Sequence, residues 1–285
     1  MHLFKTYLQR LLRRVGLYQR LRASFLYDFY WRIADQQIID RRNSEVEFYR
    51  HLLKGFRKGD VVFDIGANHG QKTDVFLRLG ARVVAVEPDE VNQDILRQKF
   101  RKYRLVKKPV TVVGKAVSDR SSKETMWIDE PGSAKNTLSQ KWVETLRTDR
   151  ERFGKRLDFA QRTEVETVPL ERLILQYGFP FFVKIDVEGY ELSVLRGLRR
   201  PVRYLSFEVN LPEFRTEGLE CIEVLGTLAP SGRFNYSADC QGGLALSDWL
   251  GQKEFYQVLE QSNQICIEVF WSTAEANNSS RTIRS

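Results

Sequence analysis

The 285-residue sequence predicts an α/β domain built on a mainly parallel, doubly wound sheet, and three observations predict it. From about residue 60 onward, short β-branched runs alternate with segments of helical period. A glycine-rich turn, DIGANHG (64–70), follows the first of these runs. An acidic residue, Glu87, closes the second run, 23 residues beyond Asp64. In such sheets ligands bind outside the carboxyl ends of the strands, where both features fall.

The elements follow in order. VVFDIG (61–66) reads as the first strand, with a helix over about 71–79. RVVAVEP (82–88) is the second strand and precedes a helix at about 90–103. VTVVGKAVS (110–118) is the third strand. ETMWID (124–129) and RTEVETV (162–168) are further strands around a polar, charge-rich stretch. A structureless loop of that length is unusual in a compact domain. Residues 120–168 are therefore expected to form an insertion, partly helical near 139–152, that either covers a cleft or forms a solvated surface. Alternation resumes with a helix at 170–177, FFVKID (181–186), a helix at 189–198, RYLSFEV (203–209) and a helix near 217–228. Two antiparallel strands, near 233–238 and 264–271, end the domain, joined through Gly242, Gly243 and a helical stretch.

The first 57 residues read differently. They carry twelve Lys/Arg and five Asp/Glu, nearly all of the chain's net charge of +8. Phe4, Tyr7, Leu8, Leu11, Leu12 and Val15 fall at helical spacing, a second helix covers about 21–40, and a third about 44–55 starts at an Asn43 or Ser44 cap. The organisation expected is a basic helical extension (1–57), a catalytic-type α/β domain (58–272) and a polar tail (273–285). The extension either packs on the core with its arginines solvated, or offers a basic face to anionic lipid or to another copy. The basic excess thus belongs to the appendage, and no nucleic-acid partner is expected, since no aromatic stacking platform is evident. Three cysteines without a CxxC, and a start that lacks a cleavable leader pattern, point to a reducing cytoplasm.

Three groups of residues carry chemistry. In the glycine turn, Gly66 permits a sharp bend and close approach, Asn68 tolerates left-handed angles, Gly70 permits close packing, and Asp64 can accept from a ligand ammonium. Asn68 and Gln71 stand where a dinucleotide fingerprint needs glycine and a small residue, so a pyrophosphate cradle is disfavoured. Glu87, followed by Pro88, can accept from ribose hydroxyls, which suits NAD and S-adenosylmethionine (SAM) alike. KIDVEGYE (184–191) crowds Asp186, Glu188 and Glu191 at the tip of a central strand, a costly arrangement unless donors or a cation satisfy them. Glu208, ending the next strand, is expected beside them.

DIGANHG, VAVEPD (84–89), KAVSD (115–119), KIDVEGYE and FEVN (207–210) occur in the order and spacing of FkbM-type methyltransferases, which the chain resembles over about 60–210. NTLSQKW (136–142) is similar to that family's variable middle region. The resemblance implies a Rossmann-like class I methyltransferase fold, with a seven-stranded sheet and a reversed last strand. It implies SAM as cofactor and O-methylation of a hydroxyl on a saccharide, glycoconjugate or natural product. By position, Asp64, Gly66, Ala67, Asn68 and Gly70 would border the methionine part, Glu87 and Pro88 the ribose, Ser118 and Asp119 the adenine, and Asp186 the methyl-bearing end. Glu171 stands where family members often have Asp.

An alcohol acceptor is protonated at neutral pH, so a nearby base helps the transfer. Asp186, Glu188, Glu208 and His69 are the candidates; Asp186 and Glu188 suit the role better than His69, which a place in the cofactor turn equally explains. Nothing in the spacing demands a metal, and none is expected. The alternatives are an NAD-dependent oxidoreductase on a related fold and methyl transfer to nitrogen.

Overall fold

A computed structural model describes residues 36–101, 109–148 and 157–274. The first predicted helix, most of the second, residues 149–156 of the insertion and the tail beyond Ala274 lie outside the described residues.

A seven-stranded sheet forms the centre. Its strands are β1 (Val61–Ile65), β2 (Arg82–Val86), β3 (Val110–Val113), β7 (Phe182–Ile185), β8 (Tyr204–Asn210), β9 (Arg233–Ser237) and β10 (Cys266–Ser272), in the order β3-β2-β1-β7-β8-β10-β9. The first five in that order are parallel, and β10 runs antiparallel to both neighbours. This is the Rossmann-like methyltransferase topology with a reversed last strand. All five residues of β1 are buried, as expected for a parallel strand covered on both faces.

Helix α1 (Gln36–Leu52) and helix α2 (Gln71–Leu79) cover one face. Tyr49 of α1 is fully buried there, with its ring centroid 5.1 Å from Phe76 and 5.6 Å from Phe182. Helix α3 (Glu90–Lys99) packs Leu96 and Phe100 beside Ala85 and Val110. Four further helices, α5 (Leu170–Tyr177), α6 (Glu191–Arg196), α7 (Arg215–Leu228) and α8 (Gln252–Glu260), bury their apolar sides on the opposite face. Helix ends follow local chemistry. Left-handed Gly70 and Gly80 bracket α2, and the Asp89 side chain accepts from the amides of Val91 and Asn92 at the start of α3. Among the described residues no helix is long and apolar enough to cross a membrane.

Two expectations need correction. Asn43 and Ser44 do not open a separate helix: they lie inside α1, whose register carries Val46, Tyr49 and Leu52 into the core and so overrides their cap preference. The third strand is two: β3 ends at Val113, and after Gly114 and Lys115 the chain leaves the main sheet to form β4 (Ala116–Ser118). The insertion holds the two expected strands and the expected helix, gathered on a second, smaller sheet. β4, β6 (Gln161–Pro169) and β5 (Lys123–Ile128) pair in the order β4-β6-β5, and α4 (Gln140–Thr148) is carried on it with Trp142, Val143 and Leu146 buried.

Candidate active site

The chain order reverses direction between β1 and β7, and the carboxyl ends of these strands open into a crevice. The β1–α2 turn forms one wall. Gly66, Asn68 and Gly70 all have positive φ (80°, 47° and 71°), as expected for residues that bend the backbone left-handedly. The amides of Gly66 and Ala67 both donate to the Val86 carbonyl at 3.0 Å, which ties the turn to β2. A β-carbon on Gly70 would meet Phe100 and Leu96, so its absence lets α3 close against the turn.

Glu87 stands at the tip of β2. Its Oε2 accepts from the Asn68 amide at 2.7 Å and its Oε1 from the Asp89 amide at 3.0 Å. Burial pushes its carboxyl up to about 7, against the pull of these two backbone donors. A cleft of about 720 Å³, open mouth included, lies in front of it. Gly66, Asn68, Glu87 and Pro88 face Asp186, Glu188 and Tyr190 across this space, and Lys115, Ala116 and Val117 form one end.

Other expected residues sit differently. Asp64 lies beneath the cleft, 1% exposed; its Oδ2 accepts from the Thr73 hydroxyl at 2.5 Å, and its Oδ1 has no protein donor. Burial raises its carboxyl, opposed by the Lys184 charge. The Ser118 hydroxyl turns to Asp119 and Glu124, one residue past the lining. Asp119 is half-exposed and pairs with Arg120. His69 is outside the lining, and its backbone carbonyl accepts from Lys99 at 3.0 Å. Glu171, the departure from the family pattern, accepts from the Arg199 amide and from Arg200, away from the cleft.

The insertion closes the cleft from above through contacts that sequence reasoning missed. Asp89 accepts with Oδ2 from the Asn136 amide group at 2.7 Å and from the Gly132 amide at 3.1 Å, while its other oxygen caps α3. Thr137 donates to the Glu188 carbonyl at 2.7 Å. The Glu188 side chain takes Trp142 Nε1 at 2.9 Å and pairs with Lys135 at 3.3 Å. Glu188 is thus half-buried and committed to holding the insertion. Glu191 staples the loop from beneath, accepting from the amides of Val187 and Gly189. Of the basic residues in the insertion, Lys135 pairs with Glu188, Lys141 with Glu217, and Arg147 donates to the Phe159 carbonyl. The signals available were the cap position of Asp89 after Pro88 and a tryptophan inside a polar stretch.

A second cavity, about 480 Å³, lies on the other side of Asp186. Lys72, Lys184, Glu208, Cys240, Cys266 and Glu268 line it. Glu208 and Glu268 face each other across β8 and β10, so both point to this side. Lys184 Nζ pairs with Asp186 Oδ2 at 2.5 Å. Burial works to raise the Asp186 carboxyl, but the Lys184 ammonium and the Glu208 hydrogen bond outweigh it and hold the group below its ordinary range. Glu208 moves the opposite way: burial lifts it well above the ordinary value, and the Asp186 charge adds to the shift. Asp186 is therefore the anion and Glu208 the proton holder, with Cys266 Sγ donating to Glu208 at 2.6 Å. Asp186 lines both cavities.

The model of the methyltransferase FkbM domain family matches residues 64–230, more than half of the chain. The chain belongs to this family. The match runs from Asp64 through the insertion and Glu208 to the end of α7, so it takes in both walls of the cleft. Among solved structures, an FkbM methyltransferase from Methylobacillus flagellatus is 18% identical, with 79% of this chain and 47% of that one covered and a TM-score of 0.48. A SAM-dependent O-methyltransferase from Thermotoga maritima is 12% identical over 80% of this chain and 64% of that one, with a TM-score of 0.39. A protein from Pyrococcus horikoshii described as a putative RNA methyltransferase is 14% identical over 81% and 82%, at 0.38. The chain spans about half the length of the Methylobacillus protein. Membership of a methyltransferase family takes the place of the oxidoreductase alternative.

Proposed function

We propose that this FkbM-family chain transfers a methyl group from SAM to a hydroxyl oxygen of a saccharide, glycoconjugate or natural product. The position of Asp186 carries the reading: this residue forms part of the wall of the cleft in front of Glu87 and of the cavity behind it. A methyl donor in the first and an acceptor in the second would meet at this residue.

The residues present fit SAM. Glu87 faces the cleft with a buried carboxylate suited to ribose hydroxyls, and Asn68 Oδ1 is a buried acceptor without a protein donor, suited to the amino acid end. Ala116 and Val117 supply an apolar wall for the base. Bound SAM supplies the electrophilic methyl carbon. The protein aligns the partners and keeps water out; Thr137 and Trp142 hold the insertion over the cleft for that purpose. Asp186 accepts the hydrogen of the acceptor hydroxyl, and Glu208 keeps the neighbouring proton, so that only one negative charge stands at the junction.

The test is transfer of tritium from methyl-labelled SAM into a pool of hydroxyl-bearing metabolites and polysaccharide precursors, with Asp186→Ala alongside. Label is expected in a hydroxyl-bearing product with the wild-type chain and not with the variant. Equal labelling by the two chains overturns the assignment of Asp186.

A further inference from the structure

We propose that Lys184 is a positioning residue of this site: its ammonium fixes the Asp186 carboxylate on the wall between the two cavities. The inference rests on the functional reading above only for what Asp186 then does.

Lys184 breaks the rule of its own strand. Central parallel strands are covered on both faces and are built from apolar residues, as Phe182, Val183 and Ile185 are. Lys184 sits among them 3% exposed, and a buried ammonium is costly unless closely matched. Its match is Asp186, two residues on, at 2.5 Å. Strand β7 ends at Ile185, so the backbone beyond it no longer fixes the direction of the Asp186 side chain. The ammonium supplies what the strand does not. It holds one carboxylate oxygen, while the side chain keeps 33% of its surface toward open space.

Apart from Glu208, the surrounding groups are engaged elsewhere. Asp64, in register on β1, accepts from Thr73. Glu268 on β10 accepts from Ser206, which is in register with Lys184 on β8, and from Cys240. Lys72 on α2 pairs with Glu45 at 2.9 Å. Glu188 and Glu191, in the loop after β7, hold the insertion and the loop amides. Glu208, which accepts from Cys266, also hydrogen-bonds Asp186, but as the proton holder it brings no positive charge. Among the described residues, Asp186 makes a single ion pair, the one with Lys184.

The test has two readouts, and the first needs neither cofactor nor acceptor. Carbon-13 carboxyl NMR follows the titration of Asp186 in the wild type, Lys184→Met and Lys184→Arg. Removing the ammonium is expected to move that titration up by about one pH unit or more, because an adjacent opposite charge lowers a carboxyl by about that much. Arginine is expected to restore it in part. The acid limb of kcat/KM should move up with it. At neutral pH kcat should fall by about tenfold or more while S-adenosylhomocysteine binding is kept. An unmoved titration and limb in a folded Lys184→Met chain overturn the proposal. If Lys184→Met does not fold, Lys184→Gln, which keeps a donor but no charge, is titrated in its place: an Asp186 titration moved up supports the proposal, and an unmoved one in the folded chain overturns it. Failure of the functional reading is recognisable separately, as a folded wild-type chain that transfers no methyl group although Asp186 titrates as described.

Discussion

Gly66 and Asp186 are packed so closely that a β-carbon on Gly66 would lie 1.8 Å from the Asp186 carbonyl oxygen. The turn after β1 and the loop after β7 are therefore locked through a missing side chain. Gly66 bends the chain as its φ of 80° requires and lines the cleft, and the backbone of the other motif also approaches it this closely.

Gly66→Ala should separate the two loops. The positive φ alone costs a non-glycine residue about 1–3 kcal/mol, and the steric overlap adds to it. Thermal unfolding should show a drop of several degrees, and calorimetry a loss of S-adenosylhomocysteine binding. Unchanged binding in the variant would mean that the two loops do not jointly form the cofactor site.

Glu87 makes binding pH-dependent. Burial raises its carboxyl to about 7, so between the ordinary carboxyl range and pH 7 the folded chain holds a proton that the unfolded chain has released. Stability of the ligand-free protein should thus fall as pH rises through this window, with Glu191, also raised by burial to about 7, acting in the same direction. Ribose hydroxyls donate to the ionised form, so S-adenosylhomocysteine should bind more tightly as pH rises from 6 to about 7 and level off above. Calorimetric titration across that range checks the trend, and Glu87→Gln should flatten it.

Trp142→Phe keeps an aromatic ring against Phe214, whose centroid is 5.4 Å away, but removes the indole donor to Glu188. A hydrogen bond to a charged group contributes about 1.5–3 kcal/mol, and urea unfolding should register a loss of that order. Cofactor binding should weaken too, since the insertion loses one of its ties to the loop bearing Glu188. Wild-type stability in the variant contradicts this account of the insertion.

Tyr49 tests the role of α1. Tyr49→Ala should cost about 3–5 kcal/mol, the usual penalty for deleting a buried aromatic ring. Tyr49→Phe should cost about 1 kcal/mol or less, because the hydroxyl makes only a 3.3 Å contact with Glu268, which has two closer donors. Urea denaturation of both variants measures the difference. Cutting the chain at residue 58 removes Val46, Phe48, Tyr49, Leu52 and Leu53 from the core, and that chain is expected not to fold.

The strands and helices of the main sheet were legible because local chemistry and tertiary packing agree there. Gly70 and Gly80 mark the ends of α2 in sequence and in space, and Pro169 and Gly178 do the same for α5. The break between β3 and β4 was not legible, since VTVVGKAVS is equally strand-like on both sides of Gly114 and only pairing with β6 draws Ala116–Ser118 away. Asn43 and Ser44 misled for the converse reason: their cap preference is small beside the burial of Tyr49 one to two turns on. At the site, the acidic strand tips could be read from the sequence because charge at the end of an apolar run is conspicuous. The engagement of Glu188 by Trp142, and the facing of Glu208 by Glu268, depend on side-chain direction and cross-strand register, which no local pattern carries.

The most direct measurement is calorimetric titration of the folded chain with S-adenosylhomocysteine, paired with Glu87→Ala. The account predicts saturable binding at one site per chain, weakened about tenfold or more by the variant, as expected when a hydrogen-bonded charged group is removed. Absence of binding to the folded wild-type protein, or equal affinity for the two chains, would contradict it.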